Sequence, residues 1–143
     1  MELNLIATGI ELIGNTVKKL DVDNNIVDIE KDARRSFGLY INEPEFQNTE
    51  DVLFAQMMID FEIRIRQSEK QECNIQFSLE GAFVSTGNIS EDEFKELVIV
   101  NGAAALISIA RGKIESISAN VFNNGKIVIP FINVIDYYKK MIE

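Results

Sequence analysis

Strict alternation of apolar and polar side chains between Ala55 and Arg66 is the sequence feature that most constrains the fold. A two-residue period places successive side chains on opposite faces of a β-strand. One set is apolar, namely Ala55, Met57, Ile59, Phe61, Ile63 and Ile65, and the other is largely polar. We therefore predict a long strand with one buried face, because a shift by one residue would expose the whole apolar set.

A second alternating segment follows after a polar connection at Gln67–Glu72. From Asn74 to Ser85 the inward positions are Ile75, Phe77, Leu79 and Phe83, and Gly81 stands where a bulge would fit. Because the connection is short, the two strands are predicted to be antiparallel neighbours.

The N-terminal part is less regular. Its first twenty residues fit one face of a helix as well as a strand, but Gly9 and Gly14 each disfavour a helix by up to about 1 kcal/mol. We interpret Ile10–Val22 as a first strand that is kinked or bulged at Gly14. Asp21–Asn48 is rich in Asp, Asn and Glu and is interpreted mostly as a connection.

Helical patterns occupy the C-terminal part. The run Ser90-Glu91-Asp92-Glu93 is typical of a capping box at the start of a helix. Asn101-Gly102 is expected to interrupt that helix, and a long second helix is predicted over Ala103–Asn120. It should end at Asn123-Asn124-Gly125, before an extended segment that contains Pro130. Strands before helices predict a single α+β domain over residues 1–143. An antiparallel sheet of about four strands would carry the helices on one face.

Composition excludes several kinds of site. The chain has no His and one cysteine, Cys73, so the commonest catalytic base, the commonest zinc ligand and an intrachain disulfide are absent. A net charge of −9 disfavours binding to nucleic acid. We expect no membrane span, because no apolar run approaches about 20 residues. A cytoplasmic location is expected because the chain begins Met1-Glu2 without the basic region of a signal peptide and has a single cysteine. No cofactor is expected, because neither a metal-ligand cluster nor a phosphate-binding loop is visible.

Two weak catalytic signals remain. Gly81–Gly87 is glycine-rich but lacks the Lys and the spacing of a phosphate-binding loop. Asp60 and Glu62 form a carboxylate pair on the polar strand face, which leaves an enzyme with a carboxylate-only site as one hypothesis. The prediction is nevertheless that the protein is not an enzyme, since no convergent set of nucleophile, base and charge stabiliser is visible.

Two C-terminal motifs resemble those of SecB-type export chaperones. Leu106 to Arg111 reads Leu-Ile-Ser-Ile-Ala-Arg, which is similar to the family's Leu-Phe-Pro-Tyr-Ala-Arg. Ile129 to Val134 reads Ile-Pro-Phe-Ile-Asn-Val before Tyr137-Tyr138, which is similar to Leu-Pro-Pro-Ile-Asn-Phe before Leu-Tyr. The likeness covers about the last two-thirds of the chain. The departures are Ser108, Ile109, Phe131 and Val134.

The resemblance implies an ATP-independent holdase for unfolded polypeptides, with protein export and a basic region of a secretion motor as further expectations. The alternative is a SecB-like adaptor or toxin–antitoxin-associated chaperone that is dedicated to one protein partner. The resemblance also implies a homo-oligomer, a dimer or tetramer, with the long helix near the interface.

Candidate residues follow from these readings. Apolar side chains in segments expected to be irregular or adaptable are candidates for a client-binding groove: Phe37, Tyr40, Phe46, Met58, Phe122, Ile127, Ile129 and Phe131. The alternative is that these side chains pack into the protein's own core. The start of the long helix supplies the oligomer-interface candidates Ala103, Ala104, Leu106 and Ile107. The motif residues given a structural role are Arg111, Pro130, Asn133 and Tyr138. Arg111 is expected to hold its helix in place through a charge-assisted hydrogen bond rather than to touch a client.

Overall fold

Five antiparallel strands form one sheet in the computed structural model, which describes residues 9–142. The strands are β1 (Ile10–Asn24), β2 (Arg34–Ile41), β3 (Glu45–Asn48), β4 (Leu53–Ser68) and β5 (Gln71–Ser85). Their order across the sheet is β1-β5-β4-β2, and β3 pairs with β4 beyond the end of β2. The interpretation of residues 1–8 lies outside the described residues.

The central strands β4 and β5 have the predicted pairing and orientation. Phe61 stands opposite Phe77, and Ile63 stands opposite Ile75. All the side chains predicted to point inward on both strands are buried in the core. The alternating pattern predicts this face correctly, because burial of one face of a strand requires an apolar side chain at every second position.

The first strand is longer than predicted, and its register shifts between Leu12 and Gly14 and again between Val17 and Lys19. The first shift confirms an irregularity next to Gly14. Gly81 forms no bulge, since β4 and β5 keep their register around it. A Cβ on Gly81 would instead collide with the Leu106 side chain, so the glycine allows close approach of a helix to the sheet.

The interpretation of Asp21–Asn48 as mostly connection is wrong, because it contains β2 and β3. In β2 the side chains of Phe37 and Leu39 alternate with those of Ser36 and Tyr40, and the strand pairs with β4 throughout. Gly38 and the flanking charges obscured this short pattern. The sheet consequently has five strands rather than about four.

Three helices follow the sheet: α1 (Glu91–Leu97), α2 (Ala103–Val121) and α3 (Val134–Ile142). The Ser90 hydroxyl accepts from the Glu93 N–H at 3.1 Å, which confirms the predicted cap of α1. Asn101-Gly102 does not interrupt the helix as predicted, because a π-helical turn over Val98–Gly102 joins α1 to α2. Gly102 packs against the Phe83 ring, where a Cβ would lie 3.1 Å away.

The core lies between the sheet and α2. This helix buries Leu106, Ile107, Ala110 and Ile114, and it packs on β4 and β5. By length and composition the continuous helix Glu91–Val121 would be long and apolar enough to cross a membrane, as the core helices of soluble proteins also are. Here its apolar stripe faces the sheet.

Candidate functional site

An apolar groove opens where the β2–β3 connection meets α3. We define the apolar groove by six of the residues that line it, together with Asn42, Glu43 and Tyr137: Tyr40, Ile41, Pro44, Ile99, Tyr138 and Met141. Its volume is about 220 Å³. Tyr40 and Met141 are 52% and 57% exposed, which leaves a ring and a flexible thioether in contact with solvent.

Two tyrosines fix α3 against the groove floor. The Tyr137 hydroxyl accepts from the Ile41 N–H at 2.9 Å, and the Tyr138 hydroxyl donates to the Ile99 carbonyl at 3.1 Å. Their rings meet edge to face with centroids 5.4 Å apart. Asn133 starts α3, since its Oδ1 accepts from the Asp136 N–H at 3.1 Å. These bonds position the groove wall.

Asn42 fixes the opposite wall. Its side-chain amide donates to the Met58 carbonyl at 3.0 Å and to Asp60 Oδ2 at 2.8 Å. Ser78 donates its hydroxyl to the other oxygen of Asp60. The Asp60 carboxylate therefore holds the β2–β3 connection in place. Asp60, one of the two carboxylates singled out in the sequence, thus has a structural role.

The outer edge of β2 lies next to the groove. Within the described residues no strand pairs with this edge, and Tyr137 occupies only the N–H of Ile41. Unpaired N–H and C=O groups of an edge strand can accept an added strand. The arrangement offers main-chain hydrogen bonds beside an apolar pocket.

One phenol at the apolar groove, that of Tyr138, has a shifted pKa. Burial raises the pKa of the Tyr138 phenol above its ordinary value, and the neighbouring Tyr137 adds to the effect. The Tyr138 hydroxyl therefore remains a neutral hydrogen-bonding group at neutral pH. Among residues 9–142, no group of three or more His, Cys, Asp or Glu side chains is arranged to hold a metal ion.

Three of the groove candidates from the sequence lie in the protein core instead. Phe122, Ile127 and Ile129 are buried members of the hydrophobic core. The Ile127 N–H donates to the Ser118 hydroxyl at 2.7 Å, and Arg111 Nε donates to the Ile129 carbonyl at 3.0 Å. These bonds hold the segment against α2, so these three side chains do not line an open surface of the single chain.

The other candidates are dispersed. Phe131 is 90% exposed, and the Arg111 guanidinium lies 4.2 Å from its ring centroid. Phe46 packs edge to face on Phe94 with centroids 6.1 Å apart, and Phe37 is half-buried on β2. Met58 is half-buried on the sheet face opposite the helices. Of the original set, only Tyr40 lines the apolar groove.

The remaining predicted residues also have defined places. Ala103, Leu106 and Ile107 face the chain's own core, and Ala104 is exposed. Pro130 is exposed beside Phe131. Tyr138, Arg111 and Asn133 make the hydrogen bonds given above.

Sequence reasoning missed Ile41, Pro44, Ile99 and Met141 as groove residues. They come from three separated segments, and only the packing of α3 brings them together. The available signal was the amphipathic pattern of Val134–Ile142, which has Val134, Tyr137, Tyr138 and Met141 at helical spacing.

No family model and no curated protein matches the sequence. Among solved structures, the chain is similar to the Mycobacterium tuberculosis Rv1957 SecB-like chaperone, solved in complex with a ChAD peptide from the Rv1956 HigA1 antitoxin. The TM-score is 0.63 at 11% identity, over 90% of this chain and 94% of that one. A protein of unknown function from Streptococcus agalactiae is similar with a TM-score of 0.54 at 14% identity, over 87% and 99% of the two chains. The chain therefore has a SecB-like fold.

Proposed function

We propose that this protein is an ATP-independent chaperone that holds extended segments of unfolded polypeptide. The observation that carries the proposal is the apolar groove beside the free edge of β2. An extended client would add main-chain hydrogen bonds along β2 and place apolar side chains in the groove. Neither step needs a nucleotide or a covalent intermediate.

The size of the groove sets the strength of binding. A cavity of about 220 Å³ holds few side chains. Each fully buried apolar side chain contributes roughly 1.5–3 kcal/mol before the ordering cost of the client is subtracted. Binding at one groove should therefore be weak and tolerant of sequence, which suits a holdase and favours repeated grooves in a homo-oligomer.

A dedicated adaptor is the second candidate. The Mycobacterium tuberculosis neighbour was solved with a peptide from an antitoxin, so this fold is compatible with binding one particular peptide. A toxin–antitoxin-associated chaperone would use the same groove for a single partner. Protein export through a basic region of a secretion motor, and a cytoplasmic location, remain expectations of the resemblance.

Protection of several unrelated, chemically unfolded proteins from aggregation tests the proposal. We expect the wild type to slow the aggregation of most of them without ATP. The double variant Tyr40→Ser plus Met141→Ser should lose most of this protection, because both side chains are exposed groove residues. Val27→Ser plus Val52→Ser is the matched control, since it removes exposed apolar side chains elsewhere.

Each outcome has a clear reading. Protection of no client would refute the holdase. Protection of one client alone would favour the adaptor. Full protection by the groove variant would mean that clients bind at another surface. Phe131→Ala would then be the next variant to measure, because its ring is the most exposed.

A further inference from the structure

Arginines are concentrated on two neighbouring strands. Of the five in the chain, four lie on β2 and β4. In the register Arg34 stands directly opposite Arg66, and Ser36 stands opposite Arg64. Because directly opposite residues share a face, Arg34, Arg64 and Arg66 all lie on the sheet face turned away from the helices. We call these three residues the arginine cluster.

The cluster is electrostatically unfavourable by itself. Like charges directly opposite each other on neighbouring strands destabilise a sheet. Arg66 pairs with Glu72 at 3.2 Å and Arg64 pairs with Glu62 at 2.7 Å, but all four side chains are exposed, and such pairs are weak. Within the described residues no carboxylate lies within 4.0 Å of the Arg34 guanidinium. In a chain with net charge −9, the three arginines and their two paired glutamates thus leave a local excess of one guanidinium, that of Arg34.

The arginine cluster is aligned with the apolar groove. Arg34 and Tyr40 lie on the same face of β2, six residues apart, which corresponds to roughly 20 Å along an extended strand. A shallow depression of about 410 Å³ lies on the same face of the sheet, and Arg64 and Arg66 line it together with their partners Glu62 and Glu72. A polypeptide that starts in the groove and follows the free edge of β2 would pass Arg34.

We infer that the arginine cluster binds an acidic segment of the polypeptide held in the apolar groove. The preferred client would carry Asp or Glu about six residues from its apolar anchor. A guanidinium binds a carboxylate through two parallel N–H···O bonds, a geometry that the ammonium group of Lys cannot provide. The inference rests on the proposed function for the anchor and adds a charge preference to it.

Binding of dye-labelled peptides, measured by fluorescence anisotropy, tests the inference. One peptide carries a Leu-Tyr-Leu anchor, a short Ser/Thr spacer and three glutamates, and its matched partner carries glutamines instead. Both are made in both chain orders. At low salt we expect the glutamate peptide to bind the wild type about fivefold tighter, which is about 1 kcal/mol. Salt near 0.5 M should remove most of the difference by screening.

The variant Arg34→Gln plus Arg66→Gln should bind both peptides equally and keep its thermal stability, since it removes a like-charge pair. The control Lys113→Gln plus Lys126→Gln makes the same charge change on exposed residues of α2 and the segment after it, outside β2 and β4, and should keep the preference. A preference that survives in the arginine variant would overturn the inference, and so would stronger competition by single-stranded oligothymidylate than by free hexaglutamate.

The peptides also separate the two levels of the proposal. Equal binding of glutamate and glutamine peptides by the wild type would overturn the charge preference and leave the holdase standing. Binding of neither peptide, at any salt, would overturn both.

Discussion

Cys73 lies on β5 with its thiol fully shielded from solvent, opposite Ile65 and Asn24. Burial raises the pKa of this thiol to about 11, and the nearby negative charge of Asp23 adds to the effect. The cause is that a thiolate loses its hydration in the core. The residue therefore acts as a small apolar side chain, and its thiol loses its proton only at alkaline pH.

This pKa predicts an alkaline loss of stability. In the unfolded chain the thiol releases its proton from about pH 9, whereas in the folded chain it keeps the proton until about pH 11. The folded state binds more protons across this window, so the free energy of unfolding falls as pH rises, by on the order of 2–3 kcal/mol. Urea unfolding at several pH values should show the decline.

Cys73→Ala should flatten that decline, although the variant starts from a lower stability because it leaves a small cavity. Tyr138 contributes in the same direction above about pH 10, since its pKa is raised from that value. A slope that is identical in Cys73→Ala and wild type between pH 9 and 11 would show that the thiol is not its source.

At the scale of elements, the contact between α2 and β5 depends on a missing side chain. Leu106 is fully buried and sits over Gly81, so any Cβ there meets the leucine. Gly81→Ala should lower the free energy of unfolding by about 1–3 kcal/mol, because the packed core cannot absorb the extra methyl group without displacing Leu106. Chemical denaturation measures the change.

Gly14→Ala on β1 is the matched control. A Cβ at Gly14 meets nothing within 4 Å, and its φ is not in the left-handed region. This substitution should be neutral or slightly stabilising, since it reduces the freedom of the unfolded chain. Equal destabilisation by both substitutions would mean that strand propensity, and not the helix–sheet contact, sets the cost at Gly81.

The extent of burial explains which elements could be predicted from the sequence. β4, β5 and α2 have long periodic patterns because one whole face of each is buried. β2 and β3 are short strands on the open side of β4, and Gly38 interrupts the apolar pattern of β2. The sequence leaves open whether Ile127 and Ile129 form a groove wall or pack on the protein's own sheet, because apolar residues in an irregular segment look the same in both cases. Only the hydrogen bonds of Ser118 and Arg111 reveal that they belong to the core.

At the scale of the whole molecule, apolar surface remains along the first strand. Leu20 and Val22 stand opposite Phe77 and Ile75, so they point to the helix side of the sheet, yet they are 45% and 40% exposed. A depression of about 490 Å³ between Val17 and the outer face of α2 continues this surface. Within the described residues no strand pairs with the outer edge of β1.

We therefore predict that the protein is a homo-oligomer, a dimer or tetramer, in which β1 and the exposed side of α2 meet a second copy. A second copy would cover the edge and the apolar side chains together, which is how an exposed edge strand is usually protected.

Light scattering of the wild type at micromolar concentration should give a multiple of the monomer mass. Leu20→Asp should shift it towards the monomer, because the interface would then bury an unpaired charge. Val128→Asp adds the same charge at an exposed side chain that lies outside β1 and α2, and it should leave the assembly intact. A monomeric wild type would contradict the oligomer, whereas an intact assembly in Leu20→Asp would place the interface on another surface.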